Sequence, residues 1–360
     1  MKILLLSKYP RMGASSRLRT LQYLPHLEEN GFEITVKSLF DEDYLNILYK
    51  QGRRSSKKTA KLYFKHLISL FGFYKYDLIW IEKEIFPYLP AFAERALSLL
   101  GMAYIVDYDD AIFHNYDLSN NQAIRKILGR KIDTVKRHSA CVIAGNSYLA
   151  ARAKSAGASR IELVPTVVDH TRYVPRSDSL LDRPVIGWIG SPSTQKYVIN
   201  IREALAKACL SYGARLMLVG ATPQVASELP GLDVDVVPWS EESEAELIRK
   251  MDIGIMPLPD GPWERGKCGY KLIQYMACAV PVIASPIGVN TEIVGSSQSG
   301  LLASSMAEWE NSLFQLLESA ELRKQFGTAG REAVEKTYSL QVQASVLSRI
   351  FTETVQQKSA

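Results

Sequence analysis

The stretch DIGIMPLPDGPWERGKCGYKLIQYMACAVPVIASPIGVN (252–290) reads as strand, helix, strand and glycine loop. DIGIMPL (252–258) and VPVIAS (280–285) are continuous apolar runs of strand length, the pattern of parallel strands covered on both faces. Between them a helix beginning near Gly269 puts Lys267, Lys271, Gln274 and Cys278 on one stripe, with Leu272, Ile273 and Met276 turned to apolar packing and Gly269 and Tyr270 as further donor-binding candidates. Unsatisfied N–H groups at a helix start, beside two ammonium groups, suit a diphosphate. Gln274, a turn deeper, is spaced to hydrogen-bond a ribose hydroxyl. In the loop PIGVNTEIV (286–294), Gly288, Val289 and Asn290 can bring backbone close to a ligand. A solvated amphipathic face is the plainer reading of each piece, but the order of all four is more specific than any one.

The same alternation extends in both directions. Strand-length apolar runs occur at 2–7, 33–39, 77–82, 103–108 and 140–146, and again at 184–190, 214–220, 234–239, 252–258, 280–285 and 299–304, with helical spacing between them. This predicts an α/β chain of two doubly wound, Rossmann-like domains, with ligands beyond the carboxyl ends of the strands. The interrupted, proline-bearing segment 163–184 is the expected boundary, giving domains over 1–170 and 171–337 and a terminal helix over 338–360.

Three further loops follow strands. After the first, Gly13, Ala14, Ser15 and Ser16 form a small-residue turn in which Ser15 or Ser16 can cap a helix, and Arg17 and Arg19 fall in its first turn. Positive side chains oppose the helix dipole there unless an anion lies between them. The G-x-G-x-x-G spacing of a dinucleotide dehydrogenase is absent. VDYDDAIFHNYD (106–117) clusters Asp107, Asp109, Asp110 and His114, which can bind a metal, act as bases, accept from sugar hydroxyls or merely cap a helix. One histidine without further ligand spacing argues against a tightly held metal. GWIGSPSTQKY (187–197) offers Gly190, Ser191, Ser193 and Thr194 as backbone donors, with Lys196 within reach of a phosphate; a simple strand-to-helix turn is the alternative.

Composition narrows the class. The 360 residues are 47% hydrophobic and 22% charged, as expected of a folded globular protein. The opening MKILLLSKYP has too short an apolar run for a secretion signal and reads as a first buried strand, and no run approaches the length of a membrane span. Cys141, Cys209, Cys268 and Cys278 lack paired ligand spacing, which suits a reducing cytoplasm and argues against zinc. The net charge of +5 is uneven: residues 1–175 hold 26 Lys and Arg against 17 Asp and Glu. Within that half, 50–75 sets basic residues beside Leu62, Phe64, Leu67, Leu70, Phe71 and Phe73, which suggests an anionic membrane surface; a solvated helix is the plainer reading. Nothing points to nucleic acid.

GASSRLR, YDDAIF, IGWIGSPST and, above all, GKCGYKLIQYMACAVPVIASPIGVNTEIV resemble the nucleotide-sugar glycosyltransferases of the GT-B fold, specifically the retaining family 4. The resemblance implies two domains facing across a cleft, the first binding an acceptor and the second a nucleotide-sugar donor, with the last helix crossing back to the first domain. It implies transfer from a UDP- or GDP-type donor to a glycan or glycolipid, as in bacterial-type cell-surface polysaccharide synthesis, with no cofactor and no tightly bound metal. Lys267 and Lys271 would neutralise the donor diphosphate, Asp110 and His114 would stand with them as candidate catalytic groups, and the Gly13 to Arg17 loop would line the cleft. Gln274 and Gly266 stand where the family pattern has paired glutamates, and Ala279 where it commonly has glycine. The alternatives are a non-catalytic sugar-nucleotide-binding subunit and a nucleotide-sugar epimerase.

Overall fold

A computed structural model of the chain describes residues 1–51, 56–176 and 183–359. Residues 52–55 of the basic segment and 177–182 of the expected boundary lie outside the described residues. By internal contacts the chain forms two units, Met1–Thr166 with Gln343–Ala360, and Val167–Val342.

The first unit is built on β1 (Lys2–Ser7), β2 (Glu33–Ser38), β3 (Leu78–Glu82), β4 (Tyr104–Tyr108), β5 (Cys141–Ala144) and β6 (Ile161–Leu163), in the order β2-β1-β3-β4-β5-β6. The second is built on β7 (Val185–Ile189), β8 (Arg215–Val219), β9 (Val234–Val237), β10 (Ile253–Met256), β11 (Val282–Ala284) and β12 (Gly300–Leu302), in the order β12-β11-β10-β7-β8-β9. Every pairing in both sheets is parallel. All eleven apolar runs become strands. The unanticipated one, β6, is a three-residue edge strand without a fully buried position, so it carries no apolar signature.

In the second unit the strand order reverses between β7 and β10, the place where a doubly wound sheet opens a crevice at its carboxyl edge. Tyr275 bridges these two strands: its buried hydroxyl accepts from the Ile189 amide (2.9 Å) and donates to the Ile255 carbonyl (3.3 Å). Tyr275 lies on the helix Tyr270–Ala277, so the bridge fixes that helix, and its first turn, against the sheet. The terminal helix Leu340–Ser359 belongs to the first unit from Gln343 onward. There Phe351 is buried against Phe32 and Trp80, with ring centroids 6.0 and 5.1 Å away, and Glu353 pairs with Arg160 at 2.5 Å.

The Tyr270–Ala277 helix ends in a tight reversal: the Ala279 amide donates to Met276 and the Val280 amide to Tyr275. That pair of bonds needs a left-handed residue at the first position beyond the cap, and Ala279 adopts φ +55° where glycine is the usual occupant. A Cβ in this conformation costs about 1 kcal/mol. Ala279→Gly is therefore expected to stabilise the second unit by about 1 kcal/mol and raise its melting temperature by about 2–4 °C. A fall in melting temperature, followed by circular dichroism, would show that packing of the methyl outweighs the backbone strain.

Candidate functional site

Two helix starts meet beyond the carboxyl ends of β10 and β11. The Tyr270–Ala277 helix is preceded by Gly269 (φ +65°) and the Val289–Ser297 helix by Gly288 (φ +54°). A side chain at Gly269 would be driven into the Val289–Ser297 helix, and one at Gly288 into the backbone at Arg265, four residues before Gly269. A Cβ on Gly269 would collide with Ile293 and lie 3.3 Å from Val289, and one on Gly288 would lie 2.5 Å from the Arg265 carbonyl oxygen. The first-turn amides of both helices are thereby gathered in one place, an arrangement that favours an anion.

Lys267 and Lys271 add positive charge to these helix starts. Lys271 passes the loop after β7: its Cε would lie 3.0 Å from a Cβ on Gly190, and its ammonium sits 5.2 Å above the Trp188 ring. Burial, and then repulsion from Lys267, pull the Lys271 ammonium down from the usual lysine range to about 7. An anion placed between the helix starts and Lys271 would relieve both penalties. The β7 loop is itself close-packed on the next strand, because a Cβ on Gly220 would strike the Gly190 carbonyl and come within 3.2 Å of Trp239.

Several expected contacts have other partners. Gln274 is buried, and its amide donates to the Tyr173 hydroxyl (3.0 Å), which donates to Glu244 (2.6 Å); Glu244 also accepts from the Trp239 indole (2.8 Å). Tyr270 opens the helix close enough to Tyr173 to act on its ionisation. The expected stripe thus turns inward after Lys271, because both faces of this helix are covered. Val289 and Asn290 are likewise buried, and the Asn290 amide ties back to the Ser285 carbonyl (3.1 Å) while its oxygen is left without a partner. The close backbone approach that Gly288 makes is to the Arg265 carbonyl.

The turn after β7 also differs from expectation. The Gly190 amide continues the sheet to Val219 (3.0 Å), and the Ser191 amide is taken by the Thr194 hydroxyl (3.3 Å), so neither is presented to a ligand. What the turn exposes instead is side chains: Ser191 and Ser193, 2.9 Å apart through their hydroxyls, and Lys196. A cavity of about 190 Å³ lies beside it at the carboxyl ends of β10 to β12, lined in part by Tyr197, Pro257, Pro259, Ser285 and Trp309. Tyr197 also holds Glu264 at 2.5 Å.

In the first unit the carboxyl ends of β1, β3 and β4 carry a dense set of charges. Lys83, at φ +66°, is the residue that follows β3; it donates to Ser15 (2.7 Å) and faces Asp109 (2.8 Å) and Asp110 (3.7 Å), while Ser15 donates to Asp109. Burial opposes the Lys83 charge, but Asp109, Asp110 and Glu82 outweigh it and hold the ammonium above the usual range. Burial opposes the Asp109 carboxylate too, and Lys83 with Ser15 outweighs it downward. Next to this pair, Glu82 accepts from Ser16 (2.6 Å) and the Lys8 amide (2.8 Å), and burial pushes its carboxyl above the usual carboxylate range. Ser15 and Ser16 are therefore not helix caps; Gly13 takes the cap position and no side chain bonds to the first turn.

The arginines of this helix are committed as well. Arg17 and Arg19 fall in the last turn of the helix Ala14–Arg19, not its first, so the dipole favours their charge; Arg19 is buried and pairs with Asp107 (2.8 Å) and the Val164 carbonyl (2.9 Å). Arg17 is also buried, 3.5 Å from the Arg11 carbonyl. His114 has both ring nitrogens engaged, with Asp117 (2.8 Å) and the Tyr148 hydroxyl (2.9 Å), which gives it a structural position and leaves Asp110 the more open group. No cluster of metal-ligating side chains occurs among the described residues. Sequence reasoning missed Lys83 and Trp239; each stands one or two residues past a strand end, and that position is the signal that could have found them.

Residues 183–319 match the family described as Glycosyl transferases group 1. N-acetyl-alpha-D-glucosaminyl L-malate synthase of Bacillus anthracis is 26% identical over 151 residues, which is 40% of this chain and only 38% of that relative's length. Among solved structures, sucrose-phosphate synthase from Thermosynechococcus elongatus is similar with a TM-score of 0.73 at 15% identity, covering 98% of each chain. Anabaena HepE in complex with UDP-glucose is similar with a TM-score of 0.70 at 16% identity, covering 98% of this chain and 100% of that one. At such identities the shared property is the fold, GT-B, with its two parallel α/β units.

Lys83 is buried against two carboxylates, Asp109 at 2.8 Å and Asp110 at 3.7 Å. Lys83→Met is expected to destabilise the first unit by about 3–5 kcal/mol at neutral pH, the effect of stranding buried charge. Because Asp109 ionises below its usual value, the pair stabilises above about pH 4 and loses that contribution as pH falls further. Urea unfolding of the variant and the parent should therefore converge in acid; a constant difference at all pH values would contradict this assignment.

Proposed function

Because residues 183–319 carry a group 1 glycosyltransferase domain, we propose that this chain is a glycosyltransferase that moves a sugar from a nucleotide-diphosphate donor to a glycan or lipid-linked acceptor. The observation that carries the reading is the convergence of two helix starts with Lys267 and Lys271 at the edge of the second sheet. A diphosphate matches that site in charge and in its need for several N–H donors. The presence of UDP-glucose in the similar Anabaena structure supports a UDP-type donor, with a GDP-type donor as the competing choice. A hexosyl group is the expected cargo.

In the proposed reaction the bond between the anomeric carbon and the diphosphate oxygen breaks while an acceptor oxygen bonds to the same face of that carbon, so configuration is retained. The acceptor proton passes to the departing diphosphate. Lys267, Lys271 and the helix amides stabilise the charge that develops on the leaving group, so no tightly bound metal is required. The Trp239 indole, half-exposed and held by Glu244, offers a flat face for the base. The partly exposed carboxylate of Asp110 at the carboxyl edge of the first sheet is suited to a sugar hydroxyl. The biological setting that fits this chemistry is cell-surface polysaccharide synthesis of bacterial type, at the cytoplasmic face of a membrane.

One observation favours a second reading. Gln274 is committed to Tyr173, and Gly266 has no side chain where the family pattern has a glutamate. A chain so changed can bind a nucleotide sugar without transferring it. Product formation with any acceptor separates the two readings.

Binding of UDP-glucose and GDP-glucose by calorimetry tests the site itself. The donor's diphosphate does not titrate near neutrality, whereas Lys271 does, at about 7. A bound anion favours the charged lysine, so affinity is expected to be flat below pH 7 and to weaken by up to about tenfold per pH unit above it, with proton uptake on binding. Lys271→Ala should bind at least tenfold more weakly and lose this pH dependence. Unchanged binding by the folded variant would refute the assignment.

A further inference from the structure

The helix Ser56–Leu70 has two unlike faces. Its inner face buries His66 and Leu70, sets His66 edge-on to Phe86 (5.6 Å), and places the Tyr63 hydroxyl on the Pro87 carbonyl (2.9 Å). Burial holds His66 neutral, down to about 4. The outer half would ordinarily be polar. Here Leu67, Phe71, Phe64 and Ile68 fall within an arc of about 100° at helical spacing, and Lys61 and Lys65 follow within the next ~60°. Phe64, Ile68 and Phe71 are 66%, 53% and 73% exposed, and Tyr74 just beyond is 71% exposed.

The charge on this face has one sign. Residues 56–76 contain no Asp or Glu. Lys58, at the inner edge, pairs with Asp41 (3.2 Å), whereas Lys57, Lys61 and Lys65 join no ion pair among the described residues. A solvated face of a globular domain has little reason to combine bare aromatics with bare lysines and no acid.

The segment packed against this helix repeats the pattern. Tyr88, Leu89 and Phe92 are each more than a third exposed, and Phe92 stacks on Phe86, with centroids 5.6 Å apart. This segment is braced from inside. Tyr116 donates to Glu84 (2.8 Å) and accepts from the Tyr88 amide (3.1 Å), Glu94 accepts from the Ile85 amide (2.9 Å), and Lys131 bonds to Glu84 and the Phe86 carbonyl. Tyr88 is held at φ +60°, an uncommon and costly conformation for a bulky residue. Buried polar groups thus keep an apolar rim standing outward at a cost in backbone strain.

We infer that this face of the first unit docks on an anionic lipid bilayer. Phe64, Ile68 and Phe71 enter the acyl boundary, Tyr74 and Tyr88 lie at the headgroup level, and Lys57, Lys61 and Lys65 meet lipid phosphates. A bilayer is favoured over a protein partner because the lysines edge an apolar strip on a convex helix. An acidic lipid surface complements that order at every point along it. The inference rests on the proposed function only for the lipid-linked acceptor; the surface itself stands without it.

Co-sedimentation of the full chain with phosphatidylcholine vesicles, with and without phosphatidylglycerol, tests this. The parent is expected to pellet with anionic vesicles, to be released by salt, and to stay in solution with phosphatidylcholine alone. Phe64→Ser with Phe71→Ser, and separately Lys57, Lys61 and Lys65→Gln, should each weaken binding at least tenfold while thermal melting and UDP-glucose binding stay at the parent's values. Failure of the parent to bind anionic vesicles overturns the inference, as does binding that neither variant changes. It is equally overturned if the parent is a dimer by sedimentation velocity and Phe71→Ser makes it monomeric, since a second copy then covers the face. A parent that binds UDP-glucose but not anionic vesicles counts against this surface alone; a parent that binds the vesicles but not UDP-glucose counts against the donor site alone.

Discussion

The hydroxyl of Tyr275 closes the one gap that a doubly wound parallel sheet cannot avoid. Where the strand order reverses, β7 and β10 send their connections to opposite faces, and their carboxyl ends are left without a shared cover. Tyr275 reaches both, taking the Ile189 amide and giving its proton to Ile255. The helix that carries Tyr275 also carries Lys271 one turn earlier, and its preceding Gly269 is locked against the Val289–Ser297 helix. One buried phenol therefore sets the height of the candidate site above the sheet. Lys271 is held in place because the helix that presents it cannot shift without breaking that bridge.

The two units treat buried positive charge in opposite ways. In the first, Lys83 is faced by Asp109 and Asp110, and Arg19 by Asp107, so each cation is answered within the chain. Burial still lifts Asp107 to about 6 even with Arg19 beside it, which shows how dry that edge is. In the second, Lys271 is drawn out of water beside another lysine, and its ammonium is depressed to about 7. A charge already compensated holds a fold together; one left uncompensated is a standing preference for an incoming anion.

Backbone and side-chain destinations were unequally legible in the sequence. Continuous apolar runs locate eleven of the strands because parallel strands bury both faces, while β6, short and at an edge, leaves no such mark. The glycine at 269 and the lysine at 271 are readable because a helix start is a local event. Gln274 is not: the group that claims its amide is Tyr173, 101 residues away, and no local spacing announces it. His114 is half legible: Asp117 lies three residues away on its own helix, but Tyr148, which takes the other ring nitrogen, lies 34 residues away. Ala279 shows the opposite case, in which a departure from a pattern leaves the conformation intact and adds backbone strain.

The first unit is assembled from both ends of the chain. Its sheet comes from the N-terminal residues, but Phe351, seated on Trp80 and Phe32, comes from the last helix. During synthesis the strands β1 to β6 emerge early, and their core must wait, lacking that ring, while the whole of 167–342 is made. The second unit, continuous in sequence, can close as soon as it leaves the ribosome. The first unit is thus completed only after the second has been made, and loss of the helix residues from Gln343 onward would open the core that β1 to β6 begin.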